Sequence, residues 1–182
     1  MIARPTLVVV SGPAGSGKTT LAHALARAVG CPAICRDEIK EGMVHATGDF
    51  TPAPGDELTL RTLPTFFDVL ELLLRAGVTT VAEAAFQDRV WRPRLEPLRE
   101  LANLRILHCV ADADTAWTRI GQRREENPLR RAHPHREWLA DHVTRHAGFD
   151  RVAVDAPSLE VDTTDGYRPA LSEIVSFVNA SR

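Results

Sequence analysis

The sequence predicts an α/β fold in three layers, a parallel sheet covered by helices on both faces. Three observations carry this. Short β-branched apolar runs alternate with longer amphipathic stretches along the 182 residues. The short runs show almost no polar alternation, as expected of strands buried on both faces. Glycine and proline clusters fall between the two kinds of segment. Composition agrees: 44% hydrophobic and 25% charged residues are globular averages, which excludes collagen, coiled coil and wholesale disorder. The length suits one domain over residues 1–182.

Thr6–Ser11 (TLVVVS) reads as the first strand, Gly12–Gly17 as a loop, and Lys18–Val29 as a helix stopped by Gly30 and Pro32. Ala33–Arg36 fits a second strand, with a polar helix starting at Asp37. Residues 48–55, with two prolines and two glycines, read as loop. A helix is expected from about Asp56 to Ala76, bent or split at Pro64. Val78–Ala82 is the third strand, and Trp91–Leu101 a helix opened by Arg92-Pro93. Leu104–Val110 is the fourth strand and Asp112–Glu126 a helix. Asn127–His135 is a loop, Arg136–His146 a helix, Leu159–Val161 the last strand, and Pro169–Asn179 the closing helix.

Net charge is −2, so nothing general draws the chain to a phosphate backbone or an anionic membrane. Nucleic acid and membrane are therefore not expected as partners. No stretch reaches the about 18–20 apolar residues of a membrane span, and the apolar run Leu7–Val10 is too short for a secretory signal. Three cysteines at wide spacing, Cys31, Cys35 and Cys109, read as reduced thiols rather than a metal or redox pair. The expected compartment is cytoplasmic. His142 and His146, four apart and near His133-Pro134-His135, lack a carboxylate-flanked metal signature and read as helix and loop residues. Of the 22 cationic residues, 20 are arginine and only Lys18 and Lys40 are lysine, so each surviving lysine is informative.

Gly12-Pro13-Ala14-Gly15-Ser16-Gly17-Lys18-Thr19 matches G-x-x-x-x-G-K-[ST] without a gap. Glycines let successive amides turn inward around a phosphate, and the helix that follows aims its positive end at the same point. Lys18 can reach the β- and γ-phosphates, and Thr19 offers a hydroxyl to Mg2+. The loop follows a buried strand and opens a helix, the context the motif requires. Gly12 to Thr19, with Thr20 beside them, are thus expected to bind a nucleoside triphosphate. A compact ammonium suits this loop better than a planar guanidinium, which accounts for a lysine at position 18 in an arginine-rich chain.

In parallel sheets ligands sit beyond the carboxyl ends of strands. Asp37, after the second strand, is therefore a candidate base for an acceptor hydroxyl; its alternative is a cap on the following helix. Arg36 could hold an acidic or phosphorylated acceptor, or be a solvated strand-end residue. Glu83 closes the third strand and could hold Mg2+ or the substrate hydroxyl, against the alternative of a surface charge. Six arginines fall within residues 119–136. Arg119 and Arg123, four apart, share a helix face, and the proline-containing segment at about 123–135 reads as an arginine-bearing lid over the phosphates.

The segments GPAGSGKTTLA, CRDEI, VAEAAF and AWTRIGQRRE together resemble the small P-loop kinases. More narrowly they resemble the chloramphenicol phosphotransferase-like and polynucleotide-kinase-like group often labelled AAA-family ATPases. The resemblance runs along nearly the whole chain, to Val161-Asp162-Thr163-Thr164. It implies the P-loop NTPase, adenylate-kinase-like three-layer sandwich, with five parallel strands in the order 2-3-1-4-5. It implies ATP and Mg2+ as cofactors, Lys18, Asp37 and Arg123 as catalytic groups, Arg119 near the nucleotide, and Asp162–Gly166 as the loop bordering adenine. The chain departs from the group in carrying Glu83 where many relatives have Asp, and Glu41–Thr62 matches no known pocket segment.

The function expected is an ATP-dependent phosphotransferase acting on a small-molecule hydroxyl, with Arg36, Asp37 and Glu83 on the substrate side. The alternatives are a polynucleotide 5′-hydroxyl kinase and a non-catalytic ATP-binding switch. Monomer and homodimer fit the sequence equally.

Overall fold

Strand β1 (Thr6–Ser11) lies at the centre of a five-stranded sheet, and its residues divide the core in two. Leu7 and Val9 point to one face and Val8 and Val10 to the other, all fully buried, as the period of two dictates. In the computed structural model residues 4–47, 49–53, 55–133 and 148–180 are described. The helix expected over Arg136–His146, with His135, His142 and the C-terminal end of the expected lid, lies outside them.

The chain continues as α1 (Lys18–Val29), β2 (Ala33–Cys35), α2 (Arg36–Thr47), α3 (Glu57–Arg75), β3 (Thr80–Glu83), α4 (Asp88–Leu95), β4 (Asn103–Val110), α5 (Ala113–Glu126), β5 (Ser158–Asp162) and α6 (Leu171–Asn179). Short 3-10 turns cover Glu96–Glu100 and Pro128–Ala132. All strand pairs are parallel, in the order β2-β3-β1-β4-β5, as the sequence resemblance implies. One face is covered by α3 and α4 through Phe66, Phe67, Leu70, Trp91 and Leu95. The other is covered by α1 and α6 through Leu21, Leu25, Ile174 and Val178. The helices that follow the neighbouring strands β1 and β3 thus lie on opposite faces. A crevice opens between the carboxyl ends of those two strands.

Two expectations need correction. Pro64 does not split α3, which runs unbroken from Glu57 to Arg75. Pro64 and Leu60, whose carbonyl loses its helical partner, are both exposed, so water can satisfy that carbonyl. The fourth helix starts at Asp88 rather than at Arg92-Pro93, and Pro97 converts its expected C-terminal part into a 3-10 turn.

Two buried cations are structural. Arg105, 4% exposed, donates to the Phe177 and Ala180 carbonyls and so secures the C-terminal end of α6 to β4. Lys40 Nζ lies 2.8 Å from Asp56 Oδ2, with both side chains buried. Asp56 also caps α3, accepting from the Thr59 amide at 2.7 Å. Burial pushes the Asp56 carboxyl up, but the Lys40 and Thr59 bonds outweigh it and hold the carboxyl below the usual aspartate value. Lys40→Met leaves that carboxylate buried without its cation and is expected to destabilise the protein by about 3–5 kcal/mol. Urea unfolding checks this, and adding Asp56→Asn, which keeps a capping side chain, should restore part of the loss.

Candidate active site

The phosphate loop is shaped by contacts that only glycine permits at two positions. A Cβ at Gly12 would run into the Cys109 carbonyl, and Gly15, at φ 77°, would drive one into the Ala116 carbonyl. The loop therefore packs backbone to backbone against β4 and α5. The Ser16 amide donates to the Pro13 carbonyl at 3.3 Å, the other amides at the tip are left to a ligand, and Gly17, the N-cap of α1, provides no side-chain cap for its first turn. Ser16 Oγ is buried without a hydrogen-bond partner among the described residues, and Lys18, 9% exposed, reaches back to the Pro13 carbonyl at 2.8 Å.

At the N-terminal turn of α1, Thr19 Oγ1 donates to Glu83 Oε2 at 3.2 Å. Glu83 is only 4% exposed, because register pairs it with Val10 of β1 and Cys35 of β2 at the centre of the crevice. A hydroxyl and a carboxylate side by side are hard oxygen ligands that suit Mg2+. The orphaned Ser16 hydroxyl, the uncapped helix end and the glycine-lined loop likewise suit a chain of phosphates. The residues present therefore fit both groups.

Asp37 lies inside the first turn of α2, not ahead of it, so it is not the N-cap of that helix. Its carboxylate pairs with Arg36 NH1 at 3.0 Å and faces Arg130 NH1 at 3.7 Å and His133 Nε2 at 4.0 Å. Its side chain keeps 42% exposure. Arg36 is neither solvated nor free: it also donates to the Thr59 carbonyl at 3.4 Å and ties α2 to α3.

One turn beyond Asp37, the buried Glu41 accepts from His133 Nε2 at 2.9 Å and pairs with Arg130 Nε at 3.4 Å. Glu41 and His133 draw the Pro128–Ala132 turn against α2. Neither was singled out as a site residue by sequence, because the contact joins positions 92 residues apart. Only their placement after Asp37 and inside the arginine-rich segment hinted at it.

The two carboxylates are pushed apart. Burial would raise Asp37, but the charges of His133, Arg36, Lys18 and Arg130 outweigh it and hold Asp37 below the ordinary aspartate value. Glu83 is raised, chiefly by burial and further by Asp37, with Lys18 pulling against them. A carboxyl raised in the folded state stabilises the fold only below its unfolded value of 4.5 and costs stability as pH rises through the folded value. Glu83→Gln is therefore expected to raise the unfolding midpoint near neutral pH, with the gain fading as pH approaches that unfolded value. Thermal unfolding of both proteins without nucleotide or Mg2+ checks this; a lower midpoint for the variant at neutral pH contradicts it.

Arg119 donates to the Thr163 carbonyl at 2.7 Å and the Thr164 carbonyl at 3.1 Å, fastening α5 to the loop after β5. Arg123 NH2 donates to Thr20 Oγ1 at 3.1 Å. Between them opens a cavity of about 360 Å3 lined by Gly17, Thr20, Arg119, Arg123, Thr163 and Tyr167. A second, of about 540 Å3, is lined by Thr19, His23, Glu38, Glu41, Arg123 and Arg130. Arg123 stands in the wall of both.

Residues 7–142 match the AAA domain family. The chain belongs to the AAA domain family. No curated protein matches this AAA domain chain by sequence. Among solved structures it is similar to a candidate kinase from Chloroflexus aurantiacus j-10-fl, with 24% identity, TM-score 0.85 and 97% of each chain covered. It is also similar to the Mycobacterium tuberculosis APS kinase CysC in complex with AMPPNP and APS, with 14% identity, TM-score 0.65, and 97% of this chain and 99% of that one covered. A sugar kinase from Janibacter sp. HTCC2649 gives 22% identity and TM-score 0.59, over 96% and 91% of the two chains. The AAA domain chain thus has the P-loop kinase fold that its phosphate loop and flanking motifs resemble. Among the described residues no helix is long and apolar enough to cross a membrane.

Proposed function

We propose that the chain is an ATP-dependent phosphotransferase that moves the γ-phosphate to a hydroxyl of a small-molecule acceptor. The observation that carries this reading is the placing of Asp37: a carboxylate held ionised by surrounding cations, partly open to solvent, in the field of Lys18 at the end of the phosphate loop. The names of the fold neighbours, a sugar kinase and an APS kinase among them, support the same class of reaction.

In this reading the loop amides from Gly12 to Thr19 and the Lys18 ammonium bind the β- and γ-phosphates, and Thr19 and Glu83 hold Mg2+. Bound there, Mg2+ shields the phosphate charge. The 360 Å3 cavity, walled by Arg119, Thr163 and Tyr167, takes the nucleoside. The acceptor lies between the phosphate loop and α2. Asp37 orients its hydroxyl and takes the proton as the oxygen bonds to the γ-phosphorus and the bond to the β-phosphate oxygen breaks, releasing ADP. Arg36 holds the Asp37 carboxylate in place. Arg123 and Arg130, on the segment read as a lid, offset charge on the transferring group.

Coupled ADP release over a panel of sugars, nucleosides and hydroxylated antibiotics tests the proposal. The expected result is release that rises with at least one acceptor. Release indifferent to every small molecule but stimulated by a 5′-hydroxyl oligonucleotide, or no release at all, contradicts it.

A further inference from the structure

The face of α1 toward α2 carries a cluster that the proposed reaction does not use. His23 Nε2 lies 2.7 Å from Glu38 Oε1 and 3.7 Å from Cys35 Sγ, and the three donor atoms all fall within 4.8 Å of one another. Cys35 closes β2 and Glu38 sits in the first turn of α2, so the strand-to-helix junction aims both at α1. Cys35 is 2% exposed, whereas His23 and Glu38 are half-exposed and line the larger cavity.

Hydrogen bonding serves this arrangement only in parts: the thiol has the Glu38 and Glu83 carboxylates as acceptors, and the imidazole nitrogen must choose between its two neighbours. A neutral imidazole nitrogen carries either a proton or a lone pair. Nε2 can donate to Glu38 or accept from the thiol, not both. A cation at the point where the three converge satisfies all of them. Bonds of about 2.0–2.3 Å in a tetrahedral site separate ligand atoms by roughly 3.3–3.8 Å. The Cys35–His23 spacing already fits, the His23–Glu38 pair has to open slightly, and Glu38 stands within 4.8 Å of Cys35 Sγ.

We propose that His23, Cys35 and Glu38 bind a thiophilic divalent ion of the Zn2+ class, with the fourth position open to the cavity. Sulfur and imidazole donors select such an ion over Mg2+, which keeps this site distinct from Thr19 and Glu83. The chelate formed by Cys35 and Glu38 brackets Arg36 and Asp37, so the ion staples the turn carrying the candidate base to α1. Binding releases the Cys35 proton to solvent.

Co2+ alone, titrated into the full chain without Mg2+ or nucleotide, tests the proposal. The expected result is a thiolate-to-cobalt charge-transfer band that saturates at one equivalent and is displaced by Zn2+. Cys35→Ser abolishes the band. His23→Ala and Glu38→Gln, both half-exposed changes that spare the core, weaken binding about tenfold or more. Thr19→Ala leaves the band intact. Absence of the band in the wild-type protein, its survival in Cys35→Ser, or unchanged affinity in His23→Ala overturns the proposal.

Discussion

Asp37→Asn is expected to lower acceptor-dependent kcat by about 10²–10⁴-fold, the usual contribution of a positioned proton acceptor. The substitution keeps the shape of the side chain and one oxygen facing Arg36, so the KM for ATP should change little. Loss of the charge removes one of the partners of Arg36, Arg130 and His133. It also removes some stability: a carboxyl lowered in the folded state stabilises above its unfolded value and loses that contribution as pH falls through the folded one. The variant must therefore be shown folded by circular dichroism before its rate is read. Because Asp37 is lowered, wild-type kcat/KM should show no acid limb from this group in the ordinary aspartate range. Turnover of Asp37→Asn within a few-fold of wild type contradicts the assignment of the base.

Lys18→Ala is expected to lower kcat by about 10²–10³-fold, the scale of removing one preorganised donor from a developing charge, and to raise the KM for ATP. Lys18 is 9% exposed and enclosed by the loop whose Pro13 carbonyl it meets. Lys18→Arg should not rescue activity, because a planar guanidinium does not fit where a compact ammonium does. Steady-state kinetics of the three proteins with one acceptor check this. Rescue by arginine would mean that charge alone, and not the shape of the loop, carries the contribution.

The two variants touch the parts of the site that could be read from sequence, and the reason is the same for both. The phosphate loop is legible because its chemistry dictates residue types at fixed spacing, down to the glycines that a Cβ would force against Cys109 and Ala116. Asp37 and Glu83 are legible because they end short buried strands, and topology places strand ends at the crevice. The sheet order came from resemblance, not from periodicity.

What sequence did not reveal depends on side chains meeting across long separations. Glu41 meets His133, and His23 meets Cys35 and Glu38, through packing that no local pattern encodes. Lys40 misled in the opposite way. Scarcity marked it out beside Lys18, yet its ammonium turns to Asp56 and holds α2 to α3. Arg119 stands beside the expected nucleotide cavity, but its guanidinium is occupied by the Thr163 and Thr164 carbonyls.

The central claim is that the γ-phosphate leaves ATP for a hydroxyl held beside Asp37. Following the γ-phosphate of labelled ATP in the presence of the best acceptor tests it directly. The expected result is label in a phosphate monoester of that acceptor, formed in step with ADP and nearly lost in Asp37→Asn. Label found only in inorganic phosphate, whatever acceptor is supplied, would contradict the account and make the chain a nucleotide hydrolase or switch.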